Sequence, residues 1–241
     1  MKQHFVPRVY LRHFCNVDGV LQKYDKETGV YHSCVDPAAE SFLVDLYTVK
    51  DAEGREDYRV EQFFCGYETK YAKIMQKILA DGVSRLSNQN IKDLLMFLAL
   101  LNARNPERVE SLKYVGSILG KHPFNADFEK LTDPDYLQSS IMESMRLWAE
   151  KINGMMRSTG WVIYVSAPDN KFITTDNPMA DLSHVPLSSH LLFAFQSLRA
   201  NGMYHVPPDF VAEMNHRIAS TATRFIFAAD IETLDSPCAS L

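Results

Sequence analysis

The sequence predicts an α+β fold, in which a mostly antiparallel sheet built from N-terminal and C-terminal strands packs on a central helical bundle. Short β-branched and aromatic runs lie before residue 59 and after residue 157, whereas apolar residues recur every three or four positions between them. The composition, with 46% hydrophobic and 23% charged residues, is typical of a globular protein. A chain of 241 residues can form one domain of this kind.

The first 58 residues are expected to form a β-rich layer. Residues 20–34 (VLQKYDKETGVYHSC) place two short runs around the turn sequence DKETG, which predicts a β-hairpin in which Gly29 adopts positive φ. Residues 42–49 (FLVDLYTV) predict a second extended piece, and the polar turn KDAEGRED follows it.

Residues 59–157 are expected to form the helical block. The apolar spacing predicts an amphipathic helix from Val60 to about Ala80. A second helix, capped by Ser87 or Asn88, should end at the RNP sequence of residues 104–106. It contains the apolar run LLMFLALL, which is far shorter than the roughly 20 residues of a membrane span and so predicts a buried helix.

Two further helices complete this block. Pro106 suits the first turn of a helix that continues through Leu119. Asp133 and Pro134 can begin another, which continues through Met156.

Residues 158–230 should mix strands with one helix. Residues 160–176 (GWVIYVSAPDNKFITTD) predict two strands joined by a turn at 168–170, and HLLFAFQS predicts another strand. Residues 207–224 restore the helical period, and FIFAAD at 225–230 predicts a last strand. Residues 231–241 are expected to be a loose tail. We expect one interlocked domain, residues 1–241, in which the N-terminal segment can meet the TTDNP hairpin.

Charge and cysteine content limit the compartment and the partners. A net charge of -5 leaves no strong nucleic-acid footprint and no attraction to a membrane surface. The four cysteines lack C-x-x-C spacing, and the start MKQHFVPR lacks the apolar stretch of a signal peptide. Reduced thiols in the cytoplasm fit best. The oligomeric state cannot be inferred from these features.

Several short motifs resemble an uncharacterised bacterial family, domain of unknown function 4238. That family has H-[FY]-V-P-Q near its start, Y-L-R-x-F just after it, R-x-P in the middle, and later F-[IV]-T-[ST]-D-N-P and P-L-S. This sequence has HFVPR, YLRHF, RNP, FITTDNP and PLS in the same order. Arg8 stands where the family usually has glutamine, and Glu61 stands where its helix-opening acid is expected. The resemblance supplies a set of residues without an activity.

Individual residues of this sequence match the family motifs along almost the whole chain. The positions that match the family motifs are His4, Pro7, Tyr10, Leu11, Arg12, Phe14, Arg104, Pro106, Asp176, Asn177, Pro178, Pro186, Leu187 and Ser188.

His4, Asp176 and Glu61 form the candidate catalytic group. Histidine titrates near neutral pH, and a carboxylate can fix its tautomer and raise its basicity. The same three residues could instead form a mixed nitrogen and oxygen site for a divalent metal. A third reading is structural: His4 packs under the sheet, and Asp176 organises its own turn.

Arg12 and Arg104 are candidate substrate-binding residues, together with Asn177 and Ser188. A guanidinium matches phosphate or carboxylate, although a buried arginine can equally pair with Asp176 or Glu61. The leading hypothesis is a cytoplasmic bacterial hydrolase, with or without a metal, acting on a small phosphate-bearing molecule such as a nucleotide or on RNA. The alternative is a non-catalytic binding or scaffold protein in which the same polar residues are structural.

Other catalytic classes have less support. The sequence PLSSH places Ser188 and Ser189 beside His190, but the G-x-S-x-G motif of serine hydrolases is absent. The sequence also lacks the nucleotide-binding motifs G-x-x-x-x-G-K-[ST] and G-x-G-x-x-G and the zinc-protease motif H-E-x-x-H. We expect Cys15 to be a small core residue rather than a nucleophile.

Overall fold

A computed structural model describes residues 1–46, 48–50, 55–111, 160–181, 183–195 and 201–238, with isolated helical positions between 143 and 154. It confirms the α+β class, because helices combine with mainly antiparallel sheets. No helix of the described ranges has the length and apolarity needed to span a membrane.

One four-stranded sheet joins the two ends of the chain, as expected. Its order is β3 (Val30–Val35), β2 (Leu21–Asp25), β12 (Phe225–Ala228) and β8 (Thr174–Thr175), and every pair is antiparallel. The predicted hairpin forms β2 and β3, and Gly29 has the positive φ of 69° that its turn requires.

A second four-stranded sheet contains β11 (Gly202–His205), β7 (Trp161–Val165), β10 (Leu191–Phe195) and β9 (His184–Ser188), in that order. β11 runs parallel to β7, and the other pairs are antiparallel. The sequence predicted a single sheet, so this sheet is a correction.

Residues 160–176 contain both predicted strands, but β7 and β8 belong to different sheets and do not pair with each other. The turn does form, with the Asn170 amide donating to the Ala167 carbonyl at 3.0 Å. Beyond it, the Phe172 amide donates to the Ser189 carbonyl and the Ile173 amide to Asn215 Oδ1. These partners draw the chain away from β7 and towards β12.

Two short ribbons flank these sheets. β1 (Lys2–His4) pairs with β4 (Phe42–Val44), and β5 (Val49–Lys50) pairs with β6 (Glu56–Asp57), both antiparallel. Three 3₁₀ turns lie at Arg12–Phe14, Pro37–Ala39 and Gly82–Arg85.

Helices α2 (Arg59–Asp81) and α3 (Asn88–Ala103) match their predicted positions and pack against each other. Ser87 caps α3, because its side chain accepts a hydrogen bond from the Asn90 backbone amide, and the Ser87 backbone amide donates to Asn90 Oδ1. Residues 94–101 are largely buried. A helical segment at 106–111 follows the RNP sequence, and the remainder of the predicted helices up to residue 156 falls mainly outside the described residues.

Two C-terminal helices cover one side of the sheets. α4 (Pro208–Ser220) was predicted, whereas α5 (Ile231–Cys238) occupies residues expected to be a loose tail. Asp230 caps α5 by accepting hydrogen bonds from the amide and hydroxyl of Thr233, and Leu234 and Cys238 are buried beneath it.

The apolar side chains of the N-terminal motif pack in the main hydrophobic core, whereas its charged side chains Arg8 and Arg12 are exposed. Its helix α1 (Arg8–Leu11) buries Tyr10 and Leu11. The Tyr10 hydroxyl lies 2.8 Å from both Thr174 Oγ1 and the Pro186 carbonyl oxygen. The N-terminal segment therefore meets the TTDNP and PLS elements, as the sequence suggested.

Tyr10→Phe is expected to lower the free energy of unfolding by about 2 kcal/mol, because it leaves the buried Pro186 carbonyl without its donor and the Thr174 hydroxyl without its acceptor. Denaturant titration monitored by circular dichroism measures the change. Tyr67→Phe, at a half-buried position of α2, is the matched control. Equal stability of Tyr10→Phe and wild type would show that these two hydrogen bonds do not hold the N-terminal segment.

Candidate functional site

Three of the predicted residues converge with two others in what we call the N-terminal polar cluster: His4, Glu61, Cys65, Glu68 and Arg104. His4 ends β1, and Arg104 directly follows α3. Glu61, Cys65 and Glu68 lie on α2 at spacings of four and three residues, so they share one helix face. The cluster thus joins the N-terminal ribbon to both long helices.

Arg104 is the centre of the cluster, and its side chain is 0% exposed. Its Nη1 lies 2.7 Å from Glu68 Oε1 and donates to the His4 carbonyl at 3.3 Å. The guanidinium also stacks over Phe64, 4.0 Å from the ring centroid. Its position after the last turn of α3 adds a favourable interaction with the helix dipole. In this conformation Arg104 positions other groups, because a fully buried guanidinium does not reach a ligand.

The His4 ring is half-buried and held by the protein backbone. Its Nε2 lies 3.2 Å from the Ala38 carbonyl oxygen, and its edge packs against Phe42 at 5.8 Å. Burial lowers the pKa of His4, and the charges of Arg104 and Arg8 act in the same direction. At neutral pH the imidazole is therefore uncharged.

Glu61 shows the opposite behaviour. Burial raises the pKa of its carboxyl group, and the charge of Glu68 adds to this effect while Arg104 opposes it. Its Oε2 is buried and has no hydrogen-bond partner in the described part of the chain. Cys65 is an exposed residue beside Glu61. Partial burial of its sulfur, together with the charges of Glu68 and Glu61, raises the pKa of the thiol.

The other predicted arginine, Arg12, is exposed in the 3₁₀ turn after α1, and its positive charge acts on Cys15. Arg8, the residue that departs from the family pattern, is exposed and acts electrostatically on His4. The exposed cation with a direct effect on His4 is therefore Arg8.

Asp176 directly follows β8, and its side chain contacts the connection between α4 and β12. Its carboxylate accepts hydrogen bonds from the backbone amides of Thr223, Arg224 and Phe225, at 2.9, 2.8 and 3.0 Å. Its own amide donates to the Phe225 carbonyl. Burial raises the pKa of Asp176, and the three amides oppose this shift. Asp176 therefore has a structural role, because its carboxylate binds backbone amides of residues 223–225. The hydrogen bond of the His4 ring goes to Ala38 instead of Asp176.

Asn177 lines a different feature, a cavity of about 220 Å³ between the DNP and RNP elements. Asn102 and Asn105 line the same cavity, so three carboxamides surround it. Asn105 Oδ1 accepts from the Glu107 amide at 2.9 Å and caps the helical segment 106–111. Asn177 therefore lies at a cavity, as a binding residue would, although its predicted binding role stays a prediction.

Ser188 is buried at the end of β9, where its hydroxyl accepts a hydrogen bond from the His190 amide at 3.1 Å. It stabilises the turn between β9 and β10. Within the described ranges, no three His, Cys, Asp or Glu side chains are arranged to hold a metal ion.

The sequence analysis assigned neither Cys65 nor Glu68 to the site, and Glu68 matters more because it pairs with Arg104. The signal was available, because Glu68 lies seven residues after Glu61 on the same face of a correctly predicted helix. A buried arginine at the RNP element requires an acidic partner, and this face supplies one.

The comparison with known proteins gives a family and no activity. The family described as "Protein of unknown function (DUF4238)" matches residues 2–232. No curated protein and no solved structure matches the chain. The matched range contains the whole N-terminal polar cluster, the DNP and PLS elements and both four-stranded sheets. The chain is therefore a member of this family of proteins of unknown function, DUF4238.

Proposed function

We propose that the protein is a cytoplasmic bacterial hydrolase that cleaves a phosphate ester of a nucleotide or RNA at the N-terminal polar cluster. The observation that supports this most directly is the pair of opposite pKa shifts at His4 and Glu61, which surround the Arg104–Glu68 ion pair. These shifts move the two pKa values towards each other, and burial tunes the acids and bases of many enzymes in the same directions. All four cysteines are free thiols, which suits a reducing compartment.

His4 is the proposed general base. The Ala38 carbonyl can only accept a hydrogen bond, so its contact at 3.2 Å requires the proton on Nε2. The lowered pKa keeps the second nitrogen unprotonated at neutral pH. Nδ1 thus has a lone pair available to accept a proton from water.

Glu61 is the proposed general acid. Its raised pKa favours the protonated form that an acid needs. In the reaction, the water oxygen forms a bond to phosphorus while the bond from phosphorus to the leaving oxygen breaks. The water proton passes to His4 Nδ1, and the Glu61 proton passes to the leaving oxygen.

Anion binding is assigned to Arg8 and Arg12, the exposed arginines of the N-terminal motif. Each guanidinium can donate two parallel hydrogen bonds to a phosphate group. Arg104 positions the cluster instead, since it holds both the His4 backbone and Glu68.

His4→Gln and Glu61→Gln are each expected to reduce the hydrolysis rate by roughly 100-fold or more, the usual contribution of a general acid or base. The assay follows release of product from RNA, nucleotides and a chromogenic phosphodiester, with and without Mg²⁺ or Mn²⁺. His205→Gln and Glu213→Gln, both exposed, are the matched controls. The wild-type protein leaving every substrate intact, or full activity in a variant that keeps its melting temperature, would contradict the proposal.

The pH profile supplies a separate prediction. The active form needs neutral His4, which is present above a pKa that lies below 6.5, and protonated Glu61, which is lost above a pKa that lies above 4.5. We therefore expect the rate to fall on both sides of a mildly acidic optimum. Glu61→Gln should abolish the decline on the alkaline side. A wild-type rate that keeps rising above neutral pH would rule out Glu61 as the acid.

A second candidate function is a non-catalytic binding or scaffold protein. It is favoured by the contacts of Asp176 and Arg104, whose charges are used inside the fold. In that case the His4 and Glu61 variants would change no reaction, and the polar residues would act through stability alone.

A further inference from the structure

A cavity of about 670 Å³ lies on the side of the β9–β10 turn, and we call it the His190 cavity. This volume is within the range of about 300–1,000 Å³ that is usual for small-molecule sites. Five separated parts of the chain meet there: residues 15–22, β3, Lys171, the turn at residues 189 and 190, and residues 229–232 at the start of α5. Its described lining consists of Cys15, Asn16, Val17, Gln22, Ser33, Lys171, Ser189, His190, Ala229, Asp230, Ile231 and Glu232.

Ordered polar contacts fix part of its wall. Lys171 Nζ lies 2.6 Å from Asp230 Oδ2, and Asp230 Oδ1 accepts from the Thr233 amide at 2.9 Å. His190 Nδ1 lies 3.1 Å from the Ser166 hydroxyl. These groups already have partners, so they shape the cavity before any ligand enters.

Gln22 differs from them. The residue is 8% exposed, and its Oε1 is buried without a hydrogen-bond partner among the described residues. Such an acceptor lowers the stability of a folded protein. The terminal amide torsion of glutamine is broad, so a rotation presents this oxygen to the cavity that the side chain lines.

The charges at the cavity select the sign of a ligand. One lysine lies there against two acids, Asp230 and Glu232, and that lysine is already paired with Asp230. Burial and the charge of Lys171 lower the pKa of His190, so the imidazole adds no positive charge at neutral pH. Burial raises the pKa of the Cys15 thiol to about 11, so it adds no negative charge.

From this geometry we infer that the His190 cavity binds a small aliphatic molecule that carries a protonated amine. An ammonium group supplies up to three donors, which suit the Gln22 carboxamide, the Ser189 hydroxyl and the Glu232 carboxylate. Val17, Ala229 and Ile231 offer apolar surface to the methylene groups. An anion of the same size would meet the Glu232 carboxylate, while Lys171 is already paired with Asp230.

This site is independent of the proposed hydrolase. The lining contains no member of the N-terminal polar cluster, so amine binding and hydrolysis can each be present without the other.

The test is isothermal titration calorimetry at neutral pH with butylamine and butane-1,4-diamine. Butyrate and butan-1-ol, which have the same carbon chain, are the matched probes. We expect saturable binding of at least one amine and none of the anion or the alcohol at concentrations up to roughly 10 mM. Absence of amine binding, or preferential binding of butyrate, would overturn the inference.

Two variants locate the binding. Gln22→Met, which preserves the side-chain length, should weaken amine binding by about tenfold while the melting temperature of the free protein stays equal or rises. Glu232→Gln, at an exposed position that folding tolerates, should weaken it by about tenfold through loss of charge. Glu213→Gln on α4 is the control and should bind as wild type. Unchanged amine affinity in both cavity variants would show that the amine binds elsewhere.

Discussion

Glu68→Gln is expected to lower the free energy of unfolding by about 3 kcal/mol, because it leaves a fully buried guanidinium without its anionic partner. The described contacts of Arg104 with the His4 carbonyl and the Phe64 ring do not neutralise its charge. Urea denaturation of the purified variant measures the change.

A double-mutant cycle separates the ion pair from general damage to the helices. Adding Arg104→Met to Glu68→Gln should restore part of the lost stability, because the stranded charge is then removed. Asp93→Asn is the control, since Asp93 pairs with the half-exposed Lys70 across the same two helices at 3.0 Å. It should cost about 1 kcal/mol or less. Strictly additive losses in the cycle would mean that Glu68 and Arg104 do not stabilise each other.

Asp176→Ala is expected to cost about 4 kcal/mol, since it leaves three backbone amides without an acceptor at a position that is 8% exposed. Thr223 and Arg224 directly precede β12, and Phe225 is its first residue. This strand occupies an inner position in its sheet. The melting temperature and the urea midpoint should both fall. Hydrogen exchange should be faster at residues 223–225 than in the wild-type protein.

Asp176→Asn should lie between wild type and Asp176→Ala. Its oxygen can accept from only one side of the amide group, and its NH₂ group then faces a backbone N–H. Asp169→Asn, in the exposed turn after β7, controls for loss of a charge. A protein with Asp176→Ala that melts like wild type but has lost hydrolysis would instead return Asp176 to the catalytic group.

Local sequence patterns predicted the local structure well. The apolar spacing from Val60 and the cap at Ser87 are short-range signals, and both helices follow them. The DKETG turn with Gly29 likewise produces its hairpin. Each of these elements depends on contacts between residues close in sequence, and those contacts are visible in the sequence itself.

Partners distant in sequence were harder to predict. The strand character of residues 161–165 and 174–175 was recognisable, but their assignment to separate sheets depends on Ser189 and Asn215. For α5, the Asp230 cap was readable, but the burial of Leu234 depends on the helix and strands beneath it.

The candidate site divides in the same way. Its residue types were predicted, and His4, Glu61 and Arg104 do share one cluster. The use of Asp176 was not evident, because three backbone amides from residues 223–225 leave no mark in side-chain chemistry. Burial of Arg104 was one of the alternatives considered from the sequence, but its partner Glu68 was not predicted, because that contact depends on the packing of α2 against α3.

The pairing of β2 with β12 has a consequence for the order of folding. Asp25 and Arg224, which form an ion pair at 2.8 Å beside these strands, are 199 residues apart. During synthesis, the hairpin of β2 and β3 emerges long before β12, and one edge of β2 has no partner until then. Contacts at such separation slow folding, because a long loop must close before they form. The strand β2 therefore gains its second partner only after β12 has been made.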